Sequence, residues 1–485
     1  MGIVTSQSFK NTITTYLGFA IGALNTLYLY VFFISDMHYG LISFMLSTAT
    51  IMMPLMAFGV HNTMVKFYST FKTKNSLNSF LTLMLFLPLA LILPTGLIGV
   101  IAYDNISNFL AQKNPIIGDY VWYIYVAAIV MAYFEVFFAW TKTQMQTVFG
   151  NFLKEVFHRL GIMLLLFCVY LEWLTVDAFI IGVIAVYALR MLIMMFYAFS
   201  VRLPVFKFHR IDRLSPILKY TVLIIIAGSI ATVILDVDSF MLGMYISIEK
   251  VAYYGVAIYI ATVIVVPSRS MQQILQPLTA KYLNEKNKVA LEDLYVRSSQ
   301  TLFIIGGLIF LLIVLNINSL YETIPSQFSG GLIVVFLVSL AKLYDCLMGC
   351  NNVILFNSDY YRVVLLFGVI LTILTVVLNM LFIPKFGING AAFATFIAVT
   401  VYNSIKIYFV KLKFNMMPFN TDTGKVLALL IVMVAVFYFW EFPFHPLVNI
   451  GLKSVVITVL YVAIVFKLNV SDDISRLIRK YLRFQ

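Results

Sequence analysis

Fourteen long apolar runs follow one another along this 485-residue chain, separated by short polar breaks. Each is near the ~20 residues a helix needs to cross about 30 Å of hydrocarbon. The runs fall at 11–34, 39–64, 78–103, 119–142, 157–173, 174–200 and 216–244, then at 252–270, 299–319, 331–350, 361–384, 387–410, 425–441 and 447–467. Strands of a membrane barrel are excluded, because those alternate apolar and polar residues over about ten positions. A soluble enzyme is excluded too: 62% of the residues are apolar and 11% charged, against roughly half and a quarter in soluble domains. The expectation is an all-α polytopic membrane protein of about 14 transmembrane helices, with the first run kept as a span because no small-residue cleavage site follows it. Cys168, Cys346 and Cys350 lie inside apolar runs, and the five histidines have no ligand spacing, so neither a disulfide nor a metal site is expected.

Basic residues orient the chain. Of 33 Lys and Arg, 27 fall at the amino end and in alternate loops, among them Lys66, Lys142, Lys154, Arg159, Lys281, Lys286, Lys288, Arg297, Lys406 and Lys413. The opposite loops hold Lys113, Lys250 and Lys385. The positive-inside rule therefore predicts that both termini are cytoplasmic, which requires an even number of spans. Anionic headgroups account for the net charge of +12, and no nucleic-acid partner is expected. At the carboxyl end, Ser471 suits a helix cap, and Ile474, Leu477, Ile478 and Leu482 share one face. This predicts an amphipathic helix on the inner membrane surface.

An internal repeat appears at an offset of 215: Tyr39-Gly40 matches Tyr254-Gly255, Lys66-Phe67 matches Lys281-Tyr282, and both copies enclose a proline, Pro54 or Pro267. Six spans separate the copies, so the halves share one orientation, a recurrent transporter design. The expected organisation is an N-terminal lobe 1–200 (spans 1–6), a linker 201–215, a C-terminal lobe 216–410 (spans 7–12), spans 13–14 at 411–467 and the tail 468–485.

Three stretches carry a family resemblance. Residues 381–395, Leu381-Phe382-Ile383-Pro384-Lys385-Phe386-Gly387-Ile388-Asn389-Gly390-Ala391-Ala392-Phe393-Ala394-Thr395, resemble the motif entering the twelfth span of polysaccharide (O-antigen type) flippases, of the multidrug, oligosaccharidyl-lipid and polysaccharide exporter superfamily. Asp238-Ser239-Phe240-Met241-Leu242-Gly243 with Val251-Ala252-Tyr253-Tyr254-Gly255 is similar to that family's stretch around spans seven and eight, and Tyr39-Gly40-Leu41 to its counterpart in the first half. The resemblance implies a multi-pass protein of the inner (plasma) membrane, not an enzyme. It would move undecaprenyl-diphosphate-linked oligosaccharide outward for polysaccharide or lipopolysaccharide synthesis. Two six-helix lobes would form a V around a central cavity, with two extra C-terminal helices beside them. Membrane lipids, a polysaccharide polymerase and chain-length proteins are the implied partners, and a monomer the implied state.

Intramembrane charges are the first candidates for the transport site. Arg190, mid-span, suits a diphosphate that its guanidinium grips bidentately; the alternative is an ion pair with Glu135. Lys342 and Asp345 share a helix face and either line the cavity or neutralise each other. Asp236 and Asp238, with Asp36, are the carboxylates for coupling to a Na+ or H+ gradient, or else solvated helix ends. Lys66 and Lys281 are candidates for the cytoplasmic entrance, or snorkelling anchors. No nucleotide-binding loop is present. Competing readings are a multidrug exporter, which would favour acidic residues in the first lobe, and a lipid II flippase, which would want several deep arginines where the sequence offers Arg190. A membrane-bound polymerase or glycosyltransferase would want a large external loop with acid/base residues, and the longest, about 104–118, is short and offers Asp104 and Lys113.

Overall fold

The computed structural model describes residues 3–208, 214–228, 230–471 and 474–475, and every regular element among them is a helix. Eleven helices are long and apolar enough to cross a membrane. Numbered in chain order with three others, they are α1 Lys10–Phe33, α2 Asp36–Met56, α3 Lys74–Ile101 and α4 Pro115–Thr143, α5 over 148–170, and α6 Val176–Val201. Then come α7 as Leu214–Gly228 and Ile230–Tyr245, α8 Glu249–Gln272, α9 Lys288–Tyr321, α10 Ser326–Leu347, α11 Arg362–Phe386 and α12 Ile388–Phe414. The last two are α13 Thr421–Phe437 and α14 Pro446–Lys467. The three beyond the eleven differ for plain reasons. Lys154, Glu155 and Arg159 sit in α5, residue 229 of α7 lies outside the described residues, and α13 has 17 residues. The chain is thus a multi-pass, all-helical membrane protein.

Helix starts follow local chemistry. Ser35, Thr73, Thr175 and Asn287 cap α2, α3, α6 and α9 by accepting from His38 N, Ser76 N, Ala178 N and Ala290 N, and Asn420 with Thr423 forms a reciprocal capping box on α13. Gly387, with φ +58, closes α11 where only a left-handed residue lets the chain turn straight into α12. Ser471 accepts from Ile474 N at 3.5 Å, whereas residues 472–473 and 476–485 of the expected amphipathic tail, and Arg210 and Arg213 of the expected linker, lie outside the described residues.

Contacts divide the chain into two compact units, Met1–Gly255 with Asn379–Gly387, and Val256–Leu378 with Ile388–Gln485. In the first unit α4 is the central helix, packed by α2 and α6, and its core gathers Phe80, Met84, Phe134, Phe138, Trp140 and Met194. In the second, α9 is central to α10, α13 and α14, around Leu311, Val314, Leu430, Ile457 and Tyr461. The small residues Gly390, Ala391, Ala392 and Ala394 of the resemblance motif are buried, on the helix that packs α10, as close helix approach in lipid requires. Outer helices show apolar side chains to their surroundings: Leu97 is 62% and Ile101 77% exposed on α3, and Val455 62% on α14. Bare rows of this kind mark a surface meant for lipid.

Candidate functional site

The first unit concentrates charge along α4, α5 and α6. Arg190 of α6 is 6% exposed, and its guanidinium lies 4.2 Å from the centre of the Phe134 ring and 4.6 Å from that of Tyr187. Its Nε is buried without a hydrogen-bond partner. The expected alternative, an ion pair with Glu135, is not formed: Glu135, itself buried, accepts from Lys154 Nζ at 2.6 Å. Lys142 Nζ sits 3.9 Å above the Phe138 ring. Arg159 bonds the Glu155 carbonyl at 2.9 Å and its carboxylate at 3.3 Å. Four cations therefore share this region with two carboxylates, and both carboxylates are already paired. Lys142 and Arg190 form no ion pair of their own: they lie over aromatic rings and share the field of Glu135 with Lys154, so cations outnumber carboxylates by two among these six residues.

Lys154 and Arg159 belong to α5 and not to the cytoplasmic loop expected from the sequence, because the helix begins at 148 and not near 157. Their carboxylate partners make the deeper placement tolerable. Leu153–Phe157 forms a π-helical turn, and Asn25–Leu29 forms another within α1. Each turn meets the other's helix: Asn25 Nδ2 donates to the Arg159 carbonyl at 2.8 Å, and a Cβ on Gly18 would stand 2.4 Å from the Glu155 carbonyl oxygen. Such turns are rare and recur at functional sites.

The carboxylates expected to sense a cation form a second cluster in the same unit. Asp238 is fully buried and accepts from Tyr254 Oη and from Asn379 Nδ2, each at 2.6 Å. Asp236 faces the Ser47 hydroxyl of α2. Asp36, at the start of α2, accepts from Tyr253 Oη at 2.7 Å. A solvated helix end is therefore the wrong description of Asp238. The motif stretches that are far apart in sequence converge here. A Cβ on Gly40 would meet the Ile248 carbonyl oxygen at 1.9 Å and one on Gly243 would meet the Phe44 ring at 2.3 Å. Asn114 pins the connecting turn by donating to the Gly243 and Ile246 carbonyls at 2.7 and 2.9 Å and accepting from Ile248 N at 2.9 Å.

In the second unit Lys342 and Asp345 of α10 approach to 3.5 Å, the mutual neutralisation expected as an alternative. Asp345 also accepts from Asn403 Nδ2 at 2.8 Å. One turn on, Lys406 is buried at 1% exposure, its Nζ donating to Asn352 Oδ1 at 2.9 Å and lying 4.0 Å over Tyr402. Lys406 is thus a buried helix residue and not one of the loop lysines that the sequence predicts. The signal was available, since the twelfth run extends to 410. Lys453 of α14, 2% exposed, escaped notice altogether. The mirrored Lys66 and Lys281 each occupy the last turn of a helix, Lys66 Nζ lying 3.8 Å over Tyr220 and Lys281 3.9 Å from Glu285 with both side chains exposed.

A comparison with protein-family models finds no match, and neither does one with curated proteins. Solved structures do match. The lipid II flippase MurJ in an inward closed conformation aligns with a TM-score of 0.70 at 15% identity, over 96% of this chain and 99% of that one. The MATE multidrug transporter DinF-BH aligns with a TM-score of 0.59 at 14% identity, over 86% and 97%. An inward-facing multidrug resistance MATE family transporter of the MOP superfamily gives 0.57 at 12%, over 86% and 95%. The chain has the polytopic fold that these flippases and transporters share.

Proposed function

We propose that this protein is a flippase that carries an undecaprenyl-diphosphate-linked oligosaccharide from the cytoplasmic to the outer leaflet of the plasma membrane, both termini being cytoplasmic. The observation that carries this reading is Arg190, buried, stacked on two rings and lacking any carboxylate partner. A guanidinium at the centre of a spanning helix is unfavourable by ~2.5–3.5 kcal/mol on insertion scales; rings offset that cost but leave its Nε without an acceptor, a donor free for an anion that comes and goes. With Lys142 it supplies the two positive charges a diphosphate needs. Alternating access would follow from rocking of the 1–200 and 216–410 lobes. Cation binding at Asp238 and Asp236 would favour one arrangement and substrate the other, since only differential affinity shifts an equilibrium. In the second unit Lys342, held against Asp345, and Lys406 would be that unit's own charged groups for the substrate, and Lys66 and Lys281 would serve its approach from the cytoplasm. A polymerase and chain-length proteins would receive the product.

Lipid II transport is the second reading, supported by the broader coverage of the MurJ fold and by Arg159 standing beside Arg190 in the first unit. A multidrug exporter fits the cationic site poorly, because it would repel cationic drugs. The test offers the purified protein three cargoes in proteoliposomes: lipid-diphosphate-oligosaccharide, lipid II and a cationic dye. Preference for the first supports the reading, preference for lipid II transfers it to that carrier, and dye transport alone overturns it.

A further inference from the structure

The second unit holds an open cavity of about 290 Å3 where the Val266–Asn284 helix ends, α9 begins and α12 ends, lined among others by Tyr282, Leu283, Lys286, Lys288, Lys413 and Met416. Three lysines are among its lining residues and no acidic residue is. Of the nearby acids, Glu285 faces Lys281 at 3.9 Å, Asp293 holds Arg297 at 2.8 Å, and Glu292 is exposed and outside the lining. Lysines that merely satisfy the positive-inside rule need only be near the surface, whereas here the backbone gathers them into one cavity. Lys286 adopts φ +52, a left-handed conformation that favours glycine. It closes the preceding helix as glycine normally does, Lys286 N donating to the Leu283 carbonyl at 3.1 Å and Asn287 N to the Tyr282 carbonyl at 2.9 Å. Lys288 is the first residue of a 34-residue helix, whose positive dipole end adds to the field. Lys413 Nζ leans to 5.8 Å from the Tyr360 ring.

We infer that this cavity is a phosphate-binding site and that its natural ligand is the headgroup phosphate of an anionic phospholipid. The lysines grip the phosphate, and Leu283 with Met416 offers an apolar floor to the glycerol backbone. The site is built from residues of the second unit alone and does not depend on which cargo is flipped. A headgroup held there would tie the ends of α9 and α12 to the leaflet's charge.

Native mass spectrometry of the full-length protein in detergent tests this. Delipidated protein is titrated with phosphatidylglycerol, with phosphatidylcholine and with inorganic phosphate. Phosphatidylglycerol should bind in preference to phosphatidylcholine. K286Q/K288Q/K413Q should weaken it by about fivefold per lysine, on the order of a hundredfold in all, with an unchanged Tm in lipid-free detergent. The control K72Q/K74Q/K467Q, which removes as many exposed lysines elsewhere, should leave binding within about twofold. Equal loss in the control, or equal binding of the two lipids, overturns the site. Saturation by inorganic phosphate that excludes phosphatidylglycerol keeps the phosphate chemistry and overturns the lipid assignment.

Discussion

Arg190→Met separates transport from folding more cleanly than an alanine substitution, because it keeps the volume and removes the charge. Position 190 lies midway along α6. Methionine is spared the ~2.5–3.5 kcal/mol that insertion scales assign to an arginine at the helix centre. It gives up two cation–π contacts, each worth about 2 kcal/mol when desolvated. These terms nearly cancel, so unfolding in detergent should shift by no more than about 1 kcal/mol. Transport behaves differently. A bidentate grip on a phosphate is worth about 3 kcal/mol, so flipping in proteoliposomes should slow on the order of a hundredfold. Arg190→Lys should recover part of the rate, since it restores the charge without the fork. Flipping at the wild-type rate by Arg190→Met, or a stability loss above about 3 kcal/mol of the kind seen on breaking a buried ion pair, would refute the reasoning.

Lys154→Met should strand the buried Glu135 carboxylate and destabilise by about 2 kcal/mol, the half-exposed lysine lowering the figure usual for buried pairs; Lys154→Met with Glu135→Gln should recover most of it in a double-mutant cycle. Gly40→Ala drives a methyl into the Ile248 carbonyl, in a turn whose Ile248 N–H is held by Asn114, and should lose about 1–3 kcal/mol or more by thermal unfolding; wild-type stability would contradict the packing. Asp238→Asn should abolish any dependence of flipping on Na+ or H+ gradients, read by collapsing both gradients in proteoliposomes. Reporter fusions after residues 75, 285 and 415 should read cytoplasmic and those near 110 and 248 external, and a periplasmic signal at 285 would overturn the topology.

What the sequence made legible follows from what lipid demands. Every spanning helix must be apolar over ~20 residues, so the fourteen runs stand out and their order survives in the fold. Arg190 was visible for the same reason, as a charge far from any run's end. Less legible were charges whose depth depends on partners elsewhere in the chain. Lys154 enters α5 because Glu135 of α4 receives it, a fact no local window holds, whereas the Glu155–Arg159 pair, one helical turn apart, is written in the local sequence once the helix is known to start at 148. Lys406 and Lys453 lie about two turns inside α12 and α14, a depth at which snorkelling and burial look alike until the neighbouring helices are known. The motif glycines marked a close approach, but only the fold reveals that Gly40 meets Ile248 and that Asp238 joins Tyr254 to Asn379.

The central claim is that a lipid-linked anionic saccharide crosses the membrane through this protein and is gripped by Arg190. The most direct measurement reconstitutes the purified protein in liposomes with a fluorescent lipid-diphosphate-oligosaccharide in the inner leaflet and follows its appearance outside by an impermeant quencher. The account predicts protein-dependent flipping that slows on the order of a hundredfold in Arg190→Met, and that the same lipid with its diphosphate replaced by a neutral linker is left behind by the wild type. Equal flipping of the neutral lipid, or no loss of rate in Arg190→Met, would contradict it.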